Sequence, residues 1–323
     1  MGAAPISDHR NISLAVCICT FQRPEGLARV LDGLDRQQRL EAVDLCIIVA
    51  DNSPGGDAHE WLQERAGHWP LHYRHEPRPG ISHARNAALA AVPEGTDFIA
   101  MLDDDEEPVP EWLAQLLAAQ AQSGADIVVG PTLPRLPQTA PGWIGDIEYF
   151  AKPQNYRALA ALDPDPPAAT CNVLLRAGLF AHGLAFDPAL ALSGGEDKLL
   201  FQDLKRRGAT FAYAPEARAI EYIPTERATL HYMWREAYRR GTVKYLVKRR
   251  LKSRSAGKSA ALAARLLGRS ALRTLRDAVL LVVALPGGPA RWAPRLLAIA
   301  DSLGTCAGVL GIPNRHYRPE ARA

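Results

Sequence analysis

The sequence predicts an α/β fold: a mostly parallel central sheet with helices on both faces, followed by a basic and partly apolar helical extension. Two observations lead there. Short apolar runs, each four to nine residues long and rich in β-branched residues, alternate with segments of helical periodicity. Such alternation favours crossover connections and therefore parallel strands. Finally, three of the runs end abruptly in polar clusters: Thr20 with Phe21-Gln-Arg-Pro24, Asp51-Asn-Ser-Pro-Gly-Gly56, and Asp103-Asp-Asp-Glu-Glu-Pro108. Open α/β sheets hold their ligands beyond the carboxyl ends of the strands, so these clusters are expected to share one crevice.

In chain order, Ile12 to Thr20 reads as the first strand and Glu25 to Gln38 as an amphipathic helix, with Leu27, Val30, Leu31 and Leu34 at helical spacing. Leu45 to Ala50 is a buried strand closed by a strong turn signal. Ala58 to Ala66 reads as a helix, Leu71 to Arg74 as a strand and Gly80 to Ala91 as a helix opened by a Gly-Ile-Ser turn. The strand before the acid run begins near Phe98. Glu111 to Ser123 is the next helix and Asp126 to Val129 a short strand. Pro131 to Pro167 is proline-rich and aperiodic, and a loop of that length inside a domain is usually functional. Cys171 to Leu175 is expected to return to the sheet, Gly194 to Arg207 to form a turn and helix, and Thr210 to Tyr213 and Arg218 to Tyr222 to be strands. From about Thr229 the chain turns helical and basic, which suggests a division into residues 1–228 and 229–323.

Composition sets outer limits. An apolar share of 47% and a charged share of 23% over 323 residues allow a sizeable core. The five cysteines have no metal-site or disulfide spacing, and reduced, mostly buried thiols in a cytosolic setting are expected. Met1 to Arg10 lacks the apolar core of a signal peptide. Arg276 to Leu285 and Leu296 to Ile312 are apolar but interrupted, short of the roughly 18 residues that a spanning helix needs. Neither GxGxxG nor GxxxxGK[ST] occurs, which argues against dinucleotide and P-loop chemistry.

The acid run carries the chemistry. Asp103, Asp104 and Asp105 repel one another, and burial raises the cost. A divalent cation would remove that repulsion, and carboxylate oxygens suit Mg2+ or Mn2+, which bridge carboxylates to phosphates. The plain alternative is a solvated acidic loop leading into the next helix. Asp51 with Asn52 fits either an ordinary turn or a carboxylate that accepts a base N–H. Glu196 and Asp197 open a helix, where acids are favoured by the dipole. Asp197 also suits a general base that takes the proton of an attacking hydroxyl. Arg85 is either a surface charge or a guanidinium aimed at anionic oxygens.

Together these residues describe group transfer from a nucleotide-activated donor. They resemble a known family, the glycosyltransferases of family 2 with their nucleotide-sugar-binding GT-A fold, over about Ser13 to Ile223. The resemblance rests on Cys19-Thr-Phe-Gln-Arg-Pro24, Val49-Ala-Asp-Asn52, Gly80-Ile-Ser-His-Ala-Arg-Asn86, Leu102-Asp-Asp-Asp105, Thr170-Cys-Asn172 with Arg176, and Gly194-Gly-Glu-Asp197. The short layout is most similar to the branch that builds succinoglycan-type exopolysaccharides.

The resemblance implies an inverting, metal-dependent transfer of a single sugar from a nucleotide-diphosphate sugar, a uridine diphosphate sugar foremost, to a saccharide or lipid-linked saccharide. On that basis Asp51 would hold the base, Thr20, Arg85, Asp104 and Glu196 would line the nucleotide-sugar site, and Asn172 would face the donor sugar or acceptor. Asp103 would lie near ribose or sugar and, with Asp105, bind the metal; Asp197 would be the catalytic base. Ala87-Ala88 departs mildly from the family's usual Ala-Gly, and the Gln-x-x-Arg-Trp element of processive synthases is missing.

The basic segment Arg235 to Arg254, with Glu236 its only acid, suggests peripheral attachment to the cytoplasmic face of an inner membrane rather than nucleic-acid binding, for which no motif exists. A catalytically silent nucleotide-sugar-binding scaffold and a nucleotidyltransferase remain as alternative classes.

Overall fold

The computed structural model describes residues 11–147, 149–150, 169–252 and 256–312. Its centre is a seven-stranded sheet in the order β3-β2-β1-β4-β8-β6-β9. The strands are β1 (Ile12–Thr20), β2 (Val43–Asp51), β3 (Leu71–His75), β4 (Phe98–Asp103), β6 (Ile127–Val129), β8 (Val173–Arg176) and β9 (Phe211–Tyr213). A smaller sheet of β5 (Glu106–Pro108), β10 (Ala219–Tyr222) and β7 (Thr132–Arg135) adjoins it. All pairings in the large sheet are parallel except those of β8, which runs against both β4 and β6. The sheet is thus mostly parallel, as the alternation predicts.

Strand alternation sorts the core into two layers, because successive side chains point to opposite faces. Leu14, Val16 and Ile18 of β1 face α1 (Pro24–Asp35) and α4 (Trp112–Ser123), together with Ile47, Val49, Ala100 and Leu102. Ala15 and Cys17 face the other way, with Ile48, Ala50, Ile99 and Met101, toward α3 (Ile81–Ala90) and α6 (Glu196–Arg206). Pro24 sits in the first turn of α1, where its missing N–H costs nothing.

The sheet order reverses at β1, which lies between β2 and β4. Register places Thr20 opposite Asp51 and Cys19 opposite Asp103, so the polar ends of three strands lie on one edge. The short α2 (His59–Glu64) leads on to β3. The aperiodic stretch Pro131 to Pro167 contains β7 and α5 (Gly142–Asp146), while its residues 148 and 151–167 lie outside the described residues.

Three long helices complete the chain: α7 (Leu230–Lys252), α8 (Ala256–Ala284) and α9 (Pro289–Val309). Helix α7 touches the sheet unit through Val243 and Val247 against Leu190, and α5 through Met233 and Ala237 against Ile144. Helix α9 packs on α7, and α8 packs on α9. Among the described residues no helix is long and apolar enough to cross a membrane. The five cysteines form no disulfide, and Cys17 and Cys171 are buried.

Candidate functional site

The carboxyl edge of the sheet holds a chain of alternating acids and arginines. Thr20 Oγ1 donates to Asp104 Oδ2 at 3.0 Å. Arg23, just past β1, reaches Asp104 Oδ1 at 2.8 Å and Asp105 Oδ2 at 2.9 Å through one nitrogen. Arg227 reaches the same Asp105 oxygen at 3.0 Å. On the other side of β4, Arg85 of α3 lies 3.3 Å from Asp103 Oδ1 and also binds Glu196 Oε1 at the start of α6. Residues far apart in the chain therefore meet through three guanidinium groups, which offset the mutual repulsion of the acids.

Burial and charge set the ionisation of this edge. Burial pushes the Asp104 carboxyl up to about 6, although Arg23 opposes the rise. Arg23 itself is held still more firmly in its charged form by Asp104 and Asp105. Burial also raises Glu196 above the usual carboxylate range; Arg85 opposes this and the neighbouring Asp197 adds to it. Oε2 of Glu196 is enclosed without a hydrogen-bond partner among the described residues. Asp197, by contrast, is only partly buried, and its Oδ1 accepts from the backbone N–H of Lys198 at 2.6 Å. Glu196 thus holds Arg85, and Asp197 is the carboxylate within reach of solvent.

Asp51 is 1% exposed and uses both oxygens inside the protein. Oδ1 accepts from the backbone N–H of Ser53 at 2.9 Å and from the Ser53 hydroxyl; Oδ2 accepts from Ala58 N at 2.9 Å and from Tyr73 OH at 3.2 Å. These bonds shape the loop after β2. Asn52 ties that loop to the next by donating to the carbonyls of Glu76 and Arg78 and accepting from Gly80 N.

Asn172 has a different place from the expected one. It is fully buried, its Oδ1 accepts from Trp112 Nε1 at 2.7 Å, and its Nδ2 donates to the carbonyls of Pro131 and Ala217 at 2.7 Å each. Those bonds join the start of β8 to α4 and to the segments beside β7 and β10. Where the resemblance implies a side chain facing donor or acceptor, the structure shows the polar atoms of Asn172 committed to these bonds and none exposed.

The donor chemistry of the edge fits a hard divalent cation through its carboxylates. The group that comes closest is Asp103, Glu106 and Cys171, whose ligand atoms lie within 4.8 Å of one another. Two carboxylates suit Mg2+ or Mn2+; the thiol is a soft donor and suits them poorly. Glu106 accepts from Asp103 N at 3.2 Å and so orients the strand end. Asp105 stands outside that group, clasped by Arg23 and Arg227, and would join a cation by exchanging one of them.

Sequence reasoning brought together Thr20, Arg85, Asp103, Asp104, Asp105, Glu196 and Asp197. It passed over Arg23, Arg227 and Glu106 as site members. Arg23 had a signal, since it follows a strand end and five adjacent acids need counter-charges. Arg227 had none, because a lone arginine far along the chain carries no mark of its partner. Two hollows adjoin the edge. A crevice of about 10 Å3 lies among Cys17, Cys19, Arg85, Met101, Asp103 and Thr170, room for no more than a water. A groove of about 540 Å3 runs along the outer side of α6 from Glu196 to Arg206 and Arg250.

Comparison with known proteins gives a consistent answer. The family model described as Glycosyl transferase family 2 matches residues 15–183. The chain is 33% identical over 236 residues to the succinoglycan biosynthesis protein ExoM of Rhizobium meliloti, covering 72% of this chain and 74% of ExoM. It is 27% identical over 157 residues to the glucosyl-dolichyl phosphate glucuronosyltransferase of Haloferax volcanii, covering 47% and 45% of the two chains. Among solved structures, the mannosyltransferase PcManGT of Pyrobaculum calidifontis, in complex with GDP-Man and Mn2+, superposes with a TM-score of 0.57 at 17% identity, over 90% of this chain and 86% of that one. Residues 1–349 of S. aureus TarS give 0.51 at 14% identity, over 94% and 93%. The fold is GT-A-like.

Proposed function

Because the chain belongs to glycosyl transferase family 2, we infer that this glycosyltransferase moves a single sugar, with inversion, from a nucleoside diphosphate sugar to a saccharide or lipid-linked saccharide. A uridine diphosphate sugar is the donor and bacterial exopolysaccharide the product class. The acceptor stands at the cytoplasmic face of the inner membrane, with residues 1–228 as the catalytic part and 229–323 as the part that meets that surface. Donor class and product class rest on likeness: ExoM is named for succinoglycan biosynthesis, and PcManGT holds a nucleotide sugar with Mn2+.

The observation that carries the reading is Arg85, which bridges Asp103 at the end of β4 to Glu196 at the start of α6 and so draws Asp197 to the acid edge. Asp197 then takes the proton of an acceptor hydroxyl as that oxygen bonds to the anomeric carbon. The bond from that carbon to the diphosphate breaks on the opposite face, and the electron pair leaves with the nucleoside diphosphate. A divalent cation held by Asp103, with Asp105 or Glu106, would neutralise charge on the departing diphosphate. Arg23 and Arg227, which clasp Asp105, would add positive charge for the same diphosphate.

The test is one variant and one product assay. Asp197→Asn is expected to keep donor binding and melting temperature and to lose transfer by roughly 10²–10⁴-fold, the range for a general base. Wild-type transfer by that variant removes Asp197 as the base. Release of pyrophosphate instead of nucleoside diphosphate removes sugar transfer in favour of nucleotidyl transfer.

A further inference from the structure

We propose that the C-terminal half of α8 is a membrane-seating face that lies flat in an anionic lipid surface. The helix buries Leu266, Ser270 and Asp277. At about 100° per residue these three mark one side, the side that packs on α9. Leu272, Leu275, Val279, Val282 and Val283 fall on a stripe centred about 170° away, spanning about 17 Å of helix. These five side chains are between 57% and 72% exposed. Isolated exposed aliphatics are ordinary, but a contiguous row of them opposite the packing face is not. Leu285, in the short turn that follows the helix, is 54% exposed as well.

Charge names the occupant. Residues 229–323 contain 19 lysines and arginines against four aspartates and glutamates, whereas the whole chain has a net charge of only +3. Arg265, Arg269 and Arg276 are exposed and flank the stripe within about 90° on one side. The buried Asp277 is shared by Arg273, Arg276 and Arg295, so the acids of this region leave its cations in excess. A second copy docking here would bring two strongly positive surfaces together. Nucleic acid would satisfy the arginines and leave the stripe in water. An interface of anionic headgroups over acyl chains satisfies both, and an apolar stripe with a cationic flank is the pattern of helices that lie in that plane. No helix needs to span the membrane for this seating.

The inference gives the membrane-facing part of the proposed function a particular surface, but vesicle binding is read without any sugar transfer, so either can fail alone. The full chain is sedimented with phosphatidylcholine vesicles and with vesicles that also contain phosphatidylglycerol. Binding to the anionic vesicles is expected, weakened by salt because exposed charges are screened. Leu275→Glu with Val279→Glu should weaken it on the order of 100-fold, while donor binding and melting temperature stay as in the wild type. Arg265→Gln with Arg269→Gln should lower binding to anionic vesicles without altering the melting temperature. The proposal is overturned if the wild type binds neither vesicle, or if the glutamate pair binds as the wild type does. It is overturned too if the wild type forms a dimer that the glutamate pair abolishes.

Discussion

Asn172 shows how one side chain can look like a ligand contact and be a joint. Its amide closes three buried hydrogen bonds, and Gly130 beside it leaves no room for a Cβ, which would lie 2.2 Å from the Ala217 carbonyl oxygen. Asn172→Ala orphans the Trp112 N–H and two carbonyls, each worth about 1–3 kcal/mol when left unsatisfied. A loss of about 3 kcal/mol or more is expected in denaturant unfolding; a loss under about 1 kcal/mol would mean that water replaces the amide. Asp104 carries a pH signature. Its folded-state carboxyl titrates near 6, above its ordinary 3.8, so the folded protein holds that proton more tightly than the unfolded chain. The resulting stabilisation is complete below about pH 4 and is lost as pH rises through about 6. Asp104→Asn lacks this loss, so its melting temperature relative to wild type should rise between pH 4 and pH 7. A flat difference across that window would place the carboxyl back in the ordinary range.

Among the elements, β8 and the α7–α9 pair were the least legible. The sequence marks Val173-Leu174-Leu175 as an apolar run, but such a run has no direction, and only pairing shows that it opposes β4 and β6. The start of an antiparallel strand then lies at the same sheet edge as the ends of its parallel neighbours. Helices α7 and α9 meet through small residues. A Cβ on Gly304 would stand 1.9 Å from the Tyr238 carbonyl oxygen, and one on Gly241 would stand 2.1 Å from that of Asp301. Gly304→Val therefore forces the helices apart, and a destabilisation of about 3 kcal/mol or more is expected from overpacking. The measurement is the melting temperature; no change would mean that the two helices slide past each other at low cost. In sequence neither glycine is marked, because a close approach between backbones leaves no trace until the partner is known.

Across the molecule, acids gather at one sheet edge and cations in the helical region, and the metal expectation belongs to that edge. Manganese should raise the melting temperature of the wild type in a saturable way, because a cation that binds only the folded state stabilises it by mass action. Asp103→Asn should abolish the rise. Glu106→Gln, which loosens the carboxylate that orients Asp103 N, should weaken manganese affinity by roughly 10–100-fold. An undiminished rise in Asp103→Asn would remove the cation from this edge.

The sequence by itself determined the strand–helix alternation, the acid run after β4, the counter-charge those acids demand and the basic character of the last third. Those properties are local: side-chain period, turn chemistry and like-charge repulsion act over a few residues. Tertiary structure alone decided that Arg23 and Arg227 clasp Asp105, that Glu196 rather than Asp197 holds Arg85, that Asn172 is a joint, and which side of α8 is left bare. Each depends on which surfaces the folded chain brings within a few ångströms, and local periodicity does not encode the partner across that gap.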